Sequence, residues 1–201
     1  TTHNDHTIPL LRLEFSAMRT LFGVNPLAWN FVNLSTFAIL LWSGCLLLRE
    51  LRLSKFSIGI YLLGCVIWTP WGKFTSGEYI LEKYTQITIC SLICVWATLR
   101  HLRTERRGYA AVIVGTAVFA ILLNLSGLWV PCVWGAVTVC GLVEAKTGKT
   151  QTEFFQELRV RFLKQGVPLA VGVIASVLVH IMLYRLPGNQ EFLSISEAAH
   201  T

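Results

Sequence analysis

The sequence predicts an all-α, polytopic integral membrane protein of about six transmembrane helices, and three observations predict it. The stretch 109–143 runs for about 35 residues without Asp, Glu, Lys, Arg or His, well past the ~20 that cross a bilayer core once. Composition agrees: 54% of residues are hydrophobic, only 14% are charged, and mean hydropathy is +0.58, against roughly 25% charged in soluble domains. The apolar runs also lack the period-2 alternation of barrel strands, and in lipid an unpaired backbone leaves helices as the remaining solution.

The chain begins with a polar stretch, Thr1 to Thr7, and no cleavable signal peptide is read in it. From Ile8 to Val24, the residues Ile8, Leu11, Phe15, Met18 and Phe22 alternate at spacings of three and four, with Arg12, Ser16 and Arg19 opposite. This spacing predicts an amphipathic helix over 8–24, lying on a membrane surface, on a partner, or folded onto the protein's own spans. Asn25-Pro26 ends it. The expected domain plan is an N-terminal segment 1–26, one transmembrane helical domain 27–186 and a polar tail 187–201.

The first span is expected over 27–48, with Asn30, Asn33, Ser35 and Thr36 in its first half. Uncharged polar groups in lipid prefer to face another helix, so Asn30, Asn33 and Thr36 mark a helix interface or a solute-lining face. A second span follows over 56–71, ended by Trp68-Thr69-Pro70-Trp71, and a third over 84–99, short unless Tyr79 and Ile80 extend it. Within 109–143, Asn124-Leu125-Ser126-Gly127, followed by Trp129 and Pro131, is turn chemistry, so the run is read as a tight hairpin of two helices. A surface helix is expected over 150–165. Thr150 and Glu153 have capping-box spacing, Glu157 and Arg161 form an i,i+4 pair, Phe155, Leu158 and Phe162 supply a stripe, and Gly166 is the expected stop. Pro168 then opens the last span, 167–186, where Gly172 and Ser176 have small-xxx-small spacing for close helix contact.

Basic residues set the orientation. The loops 49–55, 100–107 and 144–166 hold twelve of the 17 Lys and Arg residues. If they share a side, the positive-inside rule places them in the cytoplasm or its organellar equivalent and both termini on the other side. A single crossing by 109–143 would separate the second and third blocks, so charge favours the hairpin. The net charge of +6 is thus explained by topology and headgroup contact rather than by nucleic acid.

Chemistry-bearing residues are few. His180 is the one histidine within a span, and an intramembrane imidazole is a candidate ligand for haem or a chlorophyll-type pigment, or a partner in a cross-helix hydrogen bond. His3 and His6 fall on the polar terminus, where solvation is the ordinary role. Cys45, Cys65, Cys90, Cys94, Cys132 and Cys140 show no C-x-x-C or Cys/His ligand spacing and read as small apolar packing residues. No span carries an interior Asp, Glu, Lys or Arg, which argues against ion-coupled transport and most intramembrane hydrolysis. No catalytic or metal residue is assigned. The expected function is an accessory, scaffold or assembly subunit of a larger membrane complex, whose partners are the bilayer and other membrane subunits. Two alternatives are a channel for a neutral or hydrophobic solute, and a haem- or pigment-binding subunit using His180.

Overall fold

The computed structural model describes residues 9–68, 79–144 and 151–184, and these residues are helical almost throughout. In chain order they form α1 (Pro9–Phe22), α2 (Pro26–Glu50), α3 (Lys55–Trp68), α4 (Tyr79–Thr104), α5 (Arg107–Leu123), a 3-10 turn (Leu125–Leu128), α6 (Trp129–Glu144), α7 (Gln151–Arg161), a π turn (Phe162–Gly166) and α8 (Val167–Tyr184). Three helical segments are long and apolar enough to cross a membrane: Pro26–Glu50, Leu125–Val143 and Gln151–Met182. Lys55–Cys65 and Arg107–Leu123 are shorter apolar helices.

The bundle is arranged around α4, which packs against α2, α5 and α6, while α8 packs on the far side of α5. Its seam is built from small side chains. Cys94 and Ala97 of α4 meet Ala117 and Ala120 of α5, all four inaccessible to solvent, with Val130 and Trp134 of α6 and Leu169 of α8 closing the core. Small residues let helix backbones approach and gather dispersion contacts, the main attraction left to helices when lipid is as apolar as their side chains. Cys90 is buried in the same cluster; Cys132 and Cys140 are exposed on α6 and remain, like the rest, free thiols.

The run 109–143 is a helical hairpin. Leu102, near the end of α4, lies against Gly141, near the end of α6, while α5 begins three residues after α4 stops. The start of α5 and the end of α6 therefore occupy the same end of the bundle. The turn is made by Asn124, whose Oδ1 accepts from the Ser126 amide at 2.9 Å and the Ser126 hydroxyl at 2.8 Å, while the Gly127 amide donates to the Asn124 carbonyl at 2.8 Å. Gly127 is required because a β-carbon there would collide with the Ala120 carbonyl. Pro131 sits in the first turn of α6, where its fixed φ suits the helix.

Several boundaries differ from those expected. The helix expected as the third span begins at Tyr79 and continues to Thr104, because its basic end, Arg100 to Arg103, packs on α2 rather than unwinding into a loop. The helix expected to stop at Gly166 does not stop: residues 151–182 form one helical segment of 32 residues. Pro168 cannot donate to the carbonyl one α-helical turn back. The π turn over Phe162–Gly166 shifts the hydrogen-bond register ahead of it, and Gly166 is not among the residues with positive φ, so the helix continues instead of ending. Asn25-Pro26 does separate α1 from α2, with Gly23 at φ +59° and the Asn25 side chain accepting from the Leu27 amide at 3.0 Å. Thr150, the ends of the second and last expected spans, and the tail 187–201 lie outside the described residues.

Helix α1 folds back on the bundle rather than away from it, packing on α5 and bonding α4 through Glu14. Met18 of its expected stripe is buried and Phe22 is exposed; Ile8 and the side chains of Leu11 and Phe15 lie outside the described set.

Gly127→Ala is expected to destabilise the bundle by about 1–3 kcal/mol, the usual penalty for overpacking a close contact. Gly135→Ala, which meets open space, is expected to lie within about 0.5 kcal/mol of the parent. Reversible unfolding in mixed micelles measures both; equal stabilities would show that the turn does not press on α5.

Candidate functional site

Two buried polar sites hold the bundle, one at each end. At the hairpin end, α5 stops at Leu123, which frees the carbonyls of its last turn. One returns to the Asn124 amide through Ala120 at 3.2 Å. The next, Ile121, accepts from His180 Nε2 of α8 at 2.5 Å, and the imidazole is 2% exposed. That bond places the ring proton on Nε2. Gly172 and Ser176 bring α8 close enough for it: a β-carbon on Gly172 would press on Val118, and buried Ser176 turns its hydroxyl back onto the Gly172 carbonyl at 2.8 Å. His180 is thus a cross-helix cap on α5, and ligation through Nε2 would require breaking that bond.

At the opposite end stands Glu50, the last residue of α2, with a side chain only 5% exposed. Its carboxylate is held by two arginines one helical turn apart on α4. Arg100 Nε lies 2.5 Å from Oε2, and Arg103 Nη1 lies 2.5 Å from Oε1 and donates also to the Glu50 carbonyl at 3.1 Å. A carboxylate at a helix C-terminus is unfavourable by the helix dipole, so the pair of guanidinium groups offsets both that field and desolvation. Nearby, Arg161 of α7 bonds Glu157 at 3.0 Å and reaches Glu105 at 3.4 Å. These links bring the blocks 49–55, 100–107 and α7 to one end of the bundle, where the two turns carry left-handed residues without glycine, Arg52 at φ 58° and Glu105 at φ 54°.

A cleft of about 820 Å³ opens there, lined by His101, Glu105, Arg107, Glu157, Arg161 and Lys164 among others. Its acids and bases alternate and partly neutralise one another, so it presents no field of one sign. Of the α2 polar face, Thr36 lines a separate, apolar cavity against α1, α4 and α5, whereas Asn30 and Asn33 are half-buried elsewhere on the helix. His3 and His6 lie outside the described residues, and among the described residues no cluster of His, Cys, Asp or Glu has metal-ligand geometry.

Sequence reading overlooked Glu50. Inside a basic block it looks like a solvated counter-charge; the available signal was a lone acid matched by Arg100 and Arg103, which are spaced to share a helix face. It also missed Glu14 and Gln86, whose pairing depends on the return of α1 to α4.

No family model, no curated protein and no solved structure matches this chain.

The two ends respond differently to substitution. Glu50→Gln is expected to cost about 1 kcal/mol, because the arginines are half-exposed and regain water. Replacing Arg100 and Arg103 together by Ala strands a buried carboxylate and is expected to cost about 3 kcal/mol or more. His180→Phe leaves the Ile121 carbonyl unpaired, for about 1–3 kcal/mol. Unfolding free energies in the same micelles rank the three.

Proposed function

We propose that this chain is a six-span, non-catalytic accessory or assembly subunit of a larger membrane complex. The basic end faces the cytoplasm or its organellar equivalent, and both termini lie on the other side. The observation that supports this reading is the direction of the buried polar side chains in the spans. Ser43, Thr98, Ser176 and His180 each bond the protein's own backbone, so they act as structure rather than as chemistry. Large apolar side chains stand outward instead, Phe31 and Trp42 on α2 and Ile174 on α8 among them, where lipid or another helix would cover them.

A neutral-solute facilitator lined by Asn30, Asn33 and Thr36 is the second reading. Thr36 borders the apolar cavity against α1, α4 and α5, and Asn30 and Asn33 do not line that cavity, which weakens it.

Extraction from native membrane in mild detergent, followed by affinity capture and mass spectrometry, is expected to return a stoichiometric membrane partner. Phe31→Ala/Trp42→Ala is expected to lose that partner while retaining the parent's helix content. Capture of a monodisperse protein alone, with solute flux in liposomes that Asn33→Leu abolishes, would replace this proposal with the facilitator. For topology, reporters inserted at Arg106 and at Gln151 should report the same side, and opposite sides would exclude six spans.

A further inference from the structure

The cavity bordered by Thr36 is not accounted for by a packing role. It measures about 480 Å³, within the roughly 300–1,000 Å³ of small-molecule sites, and its walls are Leu10 and Leu13 of α1, Ile39 of α2, Ile89 of α4 and Phe119 of α5. Leu13, Ile39 and Phe119 are 65%, 47% and 45% exposed, so the mouth opens sideways, toward lipid. Gln86 lies 17 residues before Arg103 on α4, which is about 26 Å from the basic end at 1.5 Å per residue. The site belongs to the leaflet away from the basic blocks.

Besides the Thr36 hydroxyl, the cavity has one polar corner, and its groups with a free valence are acceptors. Gln86 Nε2 donates to both Glu14 carboxylate oxygens, 3.0 Å from each. Gln86 Oε1, on the same amide, is buried and has no hydrogen-bond partner. Among the described residues no basic side chain pairs with Glu14. A carboxylate with one neutral amide donor in apolar surroundings is costly unless a counter-charge joins it. An orphaned carbonyl oxygen beside it asks for a further donor.

We propose that this cavity binds a single-chain amphiphile whose head is a protonated amine. The ammonium supplies a positive charge to Glu14 and has donors to spare for Gln86 Oε1. The alkyl chain lies along Leu10, Leu13, Ile39 and Phe119 and enters from the bilayer. A carboxylate or phosphate head meets Glu14 with like charge, and a hydroxyl head satisfies Gln86 but leaves Glu14 unneutralised. Order of affinity is therefore amine, then alcohol, then acid.

The test uses the full chain in phosphatidylcholine nanodiscs with diazirine-bearing long-chain amine, alcohol and carboxylic acid probes of one chain length, mapped by mass spectrometry after irradiation. The amine is expected to label the α1 and α4 peptides around Glu14 and Gln86 and to be displaced by dodecylamine. Glu14→Gln should weaken the amine about tenfold, the difference expected between a charge-assisted and a neutral hydrogen bond, and leave the alcohol unchanged. Ile39→Trp, which fills the cavity without touching its polar corner, should abolish labelling by both. Equal labelling by the three heads, a preference for the acid, or an unchanged amine affinity in a folded Glu14→Gln protein overturns the proposal. Should Glu14→Gln not fold, the order of the three heads on the native chain and the loss of labelling in Ile39→Trp decide it.

Discussion

A helix that ends inside a bundle must find partners for the carbonyls it frees, because a buried carbonyl has no water to bond. The break between α5 and α6 is where this constraint acts most severely here. Its resolution involves three residues from two parts of the chain: Asn124 closes the turn, Gly127 lets the turn lie on Ala120, and His180 arrives from α8 to bond Ile121. Each depends on the others. Without glycine the turn would stand off α5; without Gly172 and Ser176, α8 could not lie close enough for the imidazole to reach.

Charge governs the other end. Glu50 and the Arg100–Arg103 pair tie α2 to α4, and Arg161 ties α7 to the α4–α5 turn. The three basic blocks repel one another, and the acidic residues set among them, Glu50, Glu105 and Glu157, are what allow those blocks to gather. The same clustering that the positive-inside rule uses for orientation therefore has a folding consequence: the end richest in Arg and Lys is also the end held by ion pairs.

How much of this was legible beforehand follows from range. Local signals carried well. The Asn-Leu-Ser-Gly turn, Pro26 as a helix start and the Glu157–Arg161 pair all depend on residues within a few positions of each other, and the structure contains them. Signals between helices were weaker. His180 was visible as an intramembrane ionisable group, but its partner is a backbone carbonyl 59 positions away, and a carbonyl leaves no mark in sequence. Glu14 and Gln86 were invisible for the same reason, and Glu50 was marked only by the matched spacing of Arg100 and Arg103, since tertiary return of one helix to another is what gives these residues partners. Gly166 misled because a glycine before a proline is a stop signal on average, and a π turn can absorb that proline without one.

Among the three helical segments apolar enough to cross a membrane, enclosure rises as hydropathy falls. The segments 26–50, 125–143 and 151–182 are the ones apolar enough to be identified as spans, yet the central helix is α4, which carries Gln86, Thr88, Ser91 and Thr98 along its length. The two facts have one cause. A helix surrounded by other helices need not be compatible with lipid; it needs small side chains for close approach and hydroxyls that can bond back to their own helix, as Ser91 and Thr98 do to Ile87 and Cys94. A helix at the bundle's edge needs the reverse, and Phe31, Trp42 and Ile174 supply it. Among α2, α4, α5, α6 and α8, the central helix α4 is accordingly the least apolar.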